Sequence, residues 1–147
     1  MYVDASFANG NNYRSISGRI MQLNNGPISW QSKQQTMTAT STAHAEMIAA
    51  YEGCLLLESI QSIYKQLQPD APVPVILCDN QAAITSAKSG FFTNQNRHFM
   101  TKLYYLIDEI KYGRLVIEYV PTDQQLADGL TKALPEGKFS SWLRAIS

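Results

Sequence analysis

Apolar and polar positions alternate early in the chain and settle into helical spacing later. Residues 15–23 read Ser-Ile-Ser-Gly-Arg-Ile-Met-Gln-Leu, the alternation of a half-buried strand. Residues 3–7 predict a short strand before it and residues 28–33 a third strand after it. The turn-forming runs Asn9-Gly10-Asn11-Asn12 and Asn24-Asn25-Gly26-Pro27 separate the three, so the opening predicts an antiparallel meander. A long helix follows, capped by Ser41 or Thr42. Its apolar stripe is Ile48, Tyr51, Leu55, Leu56, Ile60, Ile63 and Leu67, and Pro69, Pro72 and Pro74 end it. Residues 75–78, Val-Ile-Leu-Cys, form a continuous apolar run suited to a strand buried on both faces. A short helix over 80–88 is followed by a longer one within 94–112, which Gly113 stops. Residues 115–120 predict a fifth strand. Thr122 and Gln125 have the spacing of a capping box, which predicts a helix running to about residue 134. Pro135 breaks that helix, and a last amphipathic helix carries Phe139, Trp142, Leu143 and Ile146.

Helices between the later strands require crossover connections. The expectation is therefore an α/β fold whose five-stranded mixed sheet joins an antiparallel three-stranded meander to two parallel strands, flanked by helices. The sequence contains no internal repeat, low-complexity tract or linker, and residues 1–147 read as a single domain.

Composition narrows the class. The chain is 45% hydrophobic and 16% charged, values of a globular domain rather than a disordered tail. No apolar run approaches the roughly 20 residues of a membrane helix, and no signal-peptide pattern is present, so no membrane partner is expected. Twelve basic and twelve acidic residues give a formal net charge of zero. Nucleic-acid binders are usually basic, so any grip on nucleic acid is expected to be weak or shared with a partner domain. Cys54 and Cys78 lack metal-ligand spacing and read as buried thiols.

Four acids carry the candidate chemistry. Asp4 and Asp79 directly follow Val3 and Cys78, residues expected inside the sheet, where a carboxylate is costly unless paired or bound to metal. Glu46 falls in the first turns of the long helix, where the helix dipole favours negative charge. Asp128 falls two turns into the helix predicted after Pro121. Any one such acid is ordinarily a turn former, a cap or solvated surface. A mixed sheet that begins with a hairpin, however, sets its first and fourth strands side by side, so all four can converge at one sheet edge. Carboxylates placed in this way bind divalent metal and serve phosphodiester hydrolysis.

The segments Asp4-Ala5-Ser6, residues 28–35 (Ile-Ser-Trp-Gln-Ser-Lys-Gln-Gln), 41–46 (Ser-Thr-Ala-His-Ala-Glu), 78–84 (Cys-Asp-Asn-Gln-Ala-Ala-Ile), Arg97-His98 and 119–132 carry a resemblance over nearly the whole chain. In this order they resemble the ribonuclease H domain of a copia-type LTR retrotransposon reverse transcriptase. The resemblance implies a ribonuclease H-like fold and hydrolysis of the RNA strand of RNA–DNA hybrids. It implies an Asp-Glu-Asp-Asp site at Asp4, Glu46, Asp79 and Asp128 holding two Mg²⁺ ions, with Mn²⁺ as a substitute. Asp4 would bridge the ions, Glu46 and Asp79 would serve the leaving-group side, and Asp128 the side of the attacking water. It also implies substrate contacts by Ser41, Asn80 and Gln81. The polymerase domain of the same Pol polyprotein, of which this chain would be a piece, is the implied partner. The implied location is intracellular, cytoplasmic in virus-like particles or nuclear.

Other residues point elsewhere. Ser41 and Asn80 also suit plain helix capping. The loop before Asp128 lacks the His that cellular relatives carry there, and no basic protrusion is present. His98 matches a family position and reads as a cap or packing residue in preference to a site residue. His44, about 200° around the helix from Glu46, reads as surface. Tyr104, Tyr105, Trp30 and Trp142 read as core. The alternatives to a hybrid nuclease are a catalytically weak or inactive module that binds hybrid or plays a structural part, and a DNA-directed transposase or resolvase.

Overall fold

The alternating opening of the chain folds into strands β1 (Tyr2–Ser6), β2 (Ile16–Leu23) and β3 (Gly26–Gln34). The computed structural model describes residues 1–90 and 97–147, with side chains from Phe99 onward in the helix that starts at Arg97. Asn24 and Asn25 join β2 to β3 with φ of 50° and 63°, the left-handed pair that suits a two-residue hairpin and that Asn tolerates. The apolar run becomes β4 (Val75–Cys78), and β5 is Val116–Tyr119. The sheet order is β3-β2-β1-β4-β5. β1 pairs antiparallel with β2 and parallel with β4, and β5 runs parallel to β4, as the sequence pattern predicts. In β4, Ile76 and Cys78 are fully buried while Val75 and Leu77 are half-buried, so burial on both faces is incomplete.

Helix α1 (Thr42–Leu67) crosses the sheet, capped by Ser41, whose hydroxyl oxygen accepts from the His44 amide at 3.1 Å. Its buried face differs from the expected stripe. Leu55, Ile63 and Leu67 are exposed, whereas Ala45, Met47, Ala49, Ala50, Gly53 and Cys54 are buried. Small residues let the helix approach closely: a Cβ on Gly53 would stand 3.0 Å from Val3 Cγ1. Glu46 lies two turns before Gly53, on the same face, and is carried onto β1 by that approach.

Helix α2 (Gln81–Ser89) ends at Gly90 in the left-handed conformation, φ 71°. Helix α3 (Arg97–Lys111) packs on α1 through Phe99, Leu103 and Leu106. α1 is thus covered by the sheet on one side and by α3 on the other. His44 is buried, correcting its reading as surface: its ring lies 3.7 Å from that of Phe99, and its Nδ1 accepts from the Thr40 amide at 3.1 Å. The side chain of His98 lies outside the described residues. Cys54 and Cys78 are buried free thiols.

The helix expected after the capping box does not form. Thr122–Gln124 and Leu126–Leu130 are two short 3-10 turns, and Thr122 caps neither. Gln125 turns inward instead and is 3% exposed. The last helix, α4 (Glu136–Ile146), packs on the second turn. Three of the aromatics assigned to the core are exposed: Trp30 65%, Tyr104 52% and Tyr105 38%. Trp30 stands on the edge strand β3, where it lines an apolar groove with Trp142 and Leu143. No described helix is long and apolar enough to cross a membrane.

Candidate active site

The site forms where the parallel ladder between β1 and β4 stops. Leu77 pairs with Tyr2, its amide donating to Met1 O at 2.8 Å. One rung further, Asp4 would face Asp79. In a regular parallel ladder the Asp79 amide would then donate to Val3 O, and the Ala5 amide to Asp79 O. Neither bond forms. The Ala5 amide donates to Glu46 Oε1 at 3.1 Å, and Val3 O accepts from Gln125 Nε2 at 2.8 Å. The sheet opens at the rung of two acids, and side chains from α1 and from the 3-10 region satisfy the backbone groups left over.

Asp4 is 5% exposed and Glu46 3% exposed. Asp79 and Asp128 are half-buried at the rim. Carboxylate oxygens of Glu46 and Asp79 and the Cys78 thiol lie within 4.8 Å of one another. Burial, then repulsion from Asp4, pushes the Glu46 carboxyl up to about 9, against the pull of the Ala5 hydrogen bond. Burial also raises Asp4; the Thr131 hydroxyl opposes the shift, and the charges of Asp79 and Asp128 add to it. The Cys78 thiol is pushed up to about 12 by burial and by Glu46, so it stays protonated and donates toward Glu46 Oε2 at 3.8 Å. All four predicted acids thus occupy one electrostatically coupled cluster, at the C-terminal end of β4 where ligands of open α/β sheets bind.

The Asp128 turn brings residues that motif reading left without a role. Thr131 donates to Asp4 Oδ2, and its hydroxyl lies 3.1 Å from Asp128 O. The Lys132 ammonium pairs with Asp128 Oδ1, four residues away. Burial lowers the Lys132 pKa, but the hydrogen bond and charge of Asp128, with the charges of Asp4 and Asp79, outweigh that effect and raise it. The Asp–Lys spacing of four was the available sequence signal. A groove of about 740 Å³ opens beside Asp128 and Lys132, walled by Leu134, Lys138 and Trp142.

Of the three residues expected to touch substrate, Asn80 and Gln81 directly follow Asp79, and Ser41 lies five residues before Glu46. Ser41 caps α1 from an exposed position. Asn80 caps α2, its Oδ1 accepting from the Ala83 amide at 3.0 Å. Gln81 is exposed in the first turn of α2.

The Gag-Pol polyproteins of transposons Ty1-NL2 and Ty1-DR6 of Saccharomyces cerevisiae are 35% identical to the chain over 136 residues, 90% of its length. The chain is similar to a segment of these copia-type retrotransposon polyproteins and has the ribonuclease H fold. It spans about 8% of the length of those relatives. No protein-family model matches it. Among solved structures, RNase H1 of the halophilic archaeon Halobacterium salinarum superposes with a TM-score of 0.60 at 15% identity, over 88% of this chain and 90% of that one. LC11-RNase H1, in complex with an RNA/DNA hybrid, superposes with a TM-score of 0.58 at 19% identity, over the same shares of the two chains.

Proposed function

We propose that the chain is a metal-dependent endonuclease that hydrolyses the RNA strand of RNA–DNA hybrids during retrotransposon reverse transcription. The observation that carries this reading is the opening of the sheet at the Asp4–Asp79 rung, with Glu46 and Asp128 turned onto the same cluster. Two of the four carboxylates are buried, and burial raises both. Such groups call for a cation. Four carboxylates with hard oxygen donors suit Mg²⁺ or Mn²⁺ better than a soft metal.

Asp4, Glu46, Asp79 and Asp128 would hold two divalent ions. Bound there, the ions supply Lewis acidity at the scissile phosphate and lower the pKa of an attacking water. The protein's own part is positional. The Ala5 amide fixes one Glu46 oxygen, and Thr131 fixes one oxygen of Asp4. The Asn80 cap uses Oδ1, so its amide nitrogen remains as a donor for the 2′-hydroxyl that separates RNA from DNA. Gln81 stands beside it, and Ser41 faces the DNA strand. The zero net charge accords with a polymerase domain of the same polyprotein supplying much of the grip, in a cytoplasmic particle or the nucleus.

The test is cleavage of a labelled RNA–DNA hybrid with Mg²⁺ or Mn²⁺, beside duplex RNA and duplex DNA. RNA-strand cleavage confined to the hybrid, abolished in a folded Asp79→Asn variant, is the expected result. Mg²⁺-dependent cleavage that survives in that variant would sink the assignment. Hybrid binding without cleavage, even with the polymerase domain attached, would make the chain a binding module.

A further inference from the structure

We propose that Gln125 is a positioning residue that replaces the missing β1–β4 rung and thereby sets the spacing of Asp4, Asp79 and Asp128; the claim rests on the nuclease reading above. Its side chain occupies the split in the sheet. Nε2 donates to Val3 O at 2.8 Å and lies 3.4 Å from Leu77 O. Val3 immediately precedes Asp4, and Leu77 lies two residues before Asp79. One amide group therefore bridges the strands at the point where they part. On the other side, Oε1 accepts from the Ala127 amide at 3.2 Å, next to Asp128. The orientation of the amide is fixed by this pattern, because two carbonyls require the NH₂ group and one N–H requires the oxygen.

Three segments that carry three of the acids thus meet on one buried side chain. Were Val3 O free, β4 could continue its ladder by one rung, drawing Asp79 onto β1, and the turn that presents Asp128 would lose its inner anchor. Neither Ser nor Asn reaches from position 125 to both strands. Glu has the length but no donor, and its carboxylate would face two carbonyl oxygens.

The experiment compares wild type, Gln125→Met and Leu115→Ala. Met keeps length and apolar bulk without hydrogen bonds. Leu115 is buried just before β5, at the end of the parallel strands away from Asp79, and serves as a control for stability alone. Mn²⁺ affinity is read by calorimetry, kcat and KM by hybrid cleavage, and Asp79 amide protection by hydrogen exchange in metal-free protein. In Gln125→Met the expected results are Mn²⁺ binding weakened about tenfold or more, kcat lowered at unchanged KM, and Asp79 amide protection gained, as that amide takes over Val3 O, while the protection of Leu77 persists. Leu115→Ala should lower Tm and move none of these. A Gln125→Met variant that loses Tm but keeps Mn²⁺ affinity and kcat and gains no Asp79 amide protection would overturn the proposal. A wild type that neither binds Mn²⁺ nor cleaves would defeat the nuclease reading instead. In that case Asp79 amide protection in the metal-free protein alone decides whether Gln125 holds the rung open.

Discussion

The Thr131 hydroxyl donates to Asp4 Oδ2 although the two residues lie 127 positions apart, and both are buried, at 3% and 5% exposed. The bond ties the turn that carries Asp128 to the central strand and opposes the rise that burial imposes on the Asp4 carboxyl. Thr131→Val keeps the shape and removes the donor. A lost hydrogen bond to a buried charged group costs about 1.5–3 kcal/mol. The expected loss of Tm is larger in EDTA than in saturating Mg²⁺, where the ions take over as partners of Asp4, and cleavage falls with it. Equal losses with and without Mg²⁺ would show that Asp4 faces no cation.

Glu46 behaves differently, because its charge is the liability. It is buried, repelled by Asp4, and held by one backbone amide and a thiol. Glu46→Gln retains an oxygen to accept from the Ala5 amide and removes the repulsion. The metal-free variant is expected to melt above wild type at alkaline pH, by roughly 1–3 kcal/mol on the scale of ordinary single-site effects, while cleavage is abolished. Melting below wild type across the alkaline range would mean that the carboxylate has partners beyond those seen.

Stability should also depend on pH with a definite sign. Glu46 has an ordinary value of 4.5 that folding raises to about 9, and Asp4 is raised as well. The folded state therefore binds these protons more tightly than the unfolded state. Their contribution is full below the ordinary carboxylate range and is lost as pH rises toward 9. His44 acts on the acid side: burial lowers its pKa, so its contribution is present above 6.5 and lost as pH falls below it. The Met1 ammonium has the same sign, because burial lowers it from 8.0 to about 6; above about pH 8 both groups are largely neutral in both states, which leaves the carboxylates to dominate. In EDTA, Tm should decline across this alkaline range, and saturating Mg²⁺ should flatten the decline. A Tm that rises with pH in EDTA would contradict the placement of Glu46.

The strand pairing and the convergence of the four acids were legible because both rest on local signals. Asn24-Asn25 fixes a hairpin, and Asp79 directly follows an apolar strand. What was not legible depends on the tertiary environment. Thr122 and Gln125 have capping-box spacing, yet two backbone carbonyls at the split in the sheet compete for the Gln125 amide and win. His44 looked exposed from its angle to Glu46, because nothing in α1 alone announces that α3 covers its other side. Of the α1 stripe, Ile48 is buried and Leu56 and Ile60 pack against the core, whereas Leu55, Ile63 and Leu67 lie exposed. The site-facing part of that helix is built from Ala and Gly, which a hydrophobic count undervalues.

The turn that presents Asp128 is also held from outside, and a single methyl group tests this. Trp142 of α4 donates its indole N–H to Leu126 O at 2.6 Å and lies flat against Gly129, the residue after Asp128. A Cβ at Gly129 would stand 2.5 Å from Trp142 Cε2 and 2.8 Å from Cδ2, inside any normal contact. The ring cannot yield freely without losing its bond to Leu126, so Gly129→Ala should displace α4, the turn, or both. Overpacking of this kind costs about 1–3 kcal/mol. Because the displaced turn carries Asp128, cleavage should fall further than stability, and the Mg²⁺ concentration needed for half-maximal rate should rise. Pairing Gly129→Ala with Trp142→Phe, which shortens the ring and gives up the indole bond, should restore much of the metal response while leaving the domain less stable than wild type. A double variant no better than Gly129→Ala would show that Asp128 is placed by its inner contacts, through Gln125 and Thr131, with α4 a bystander.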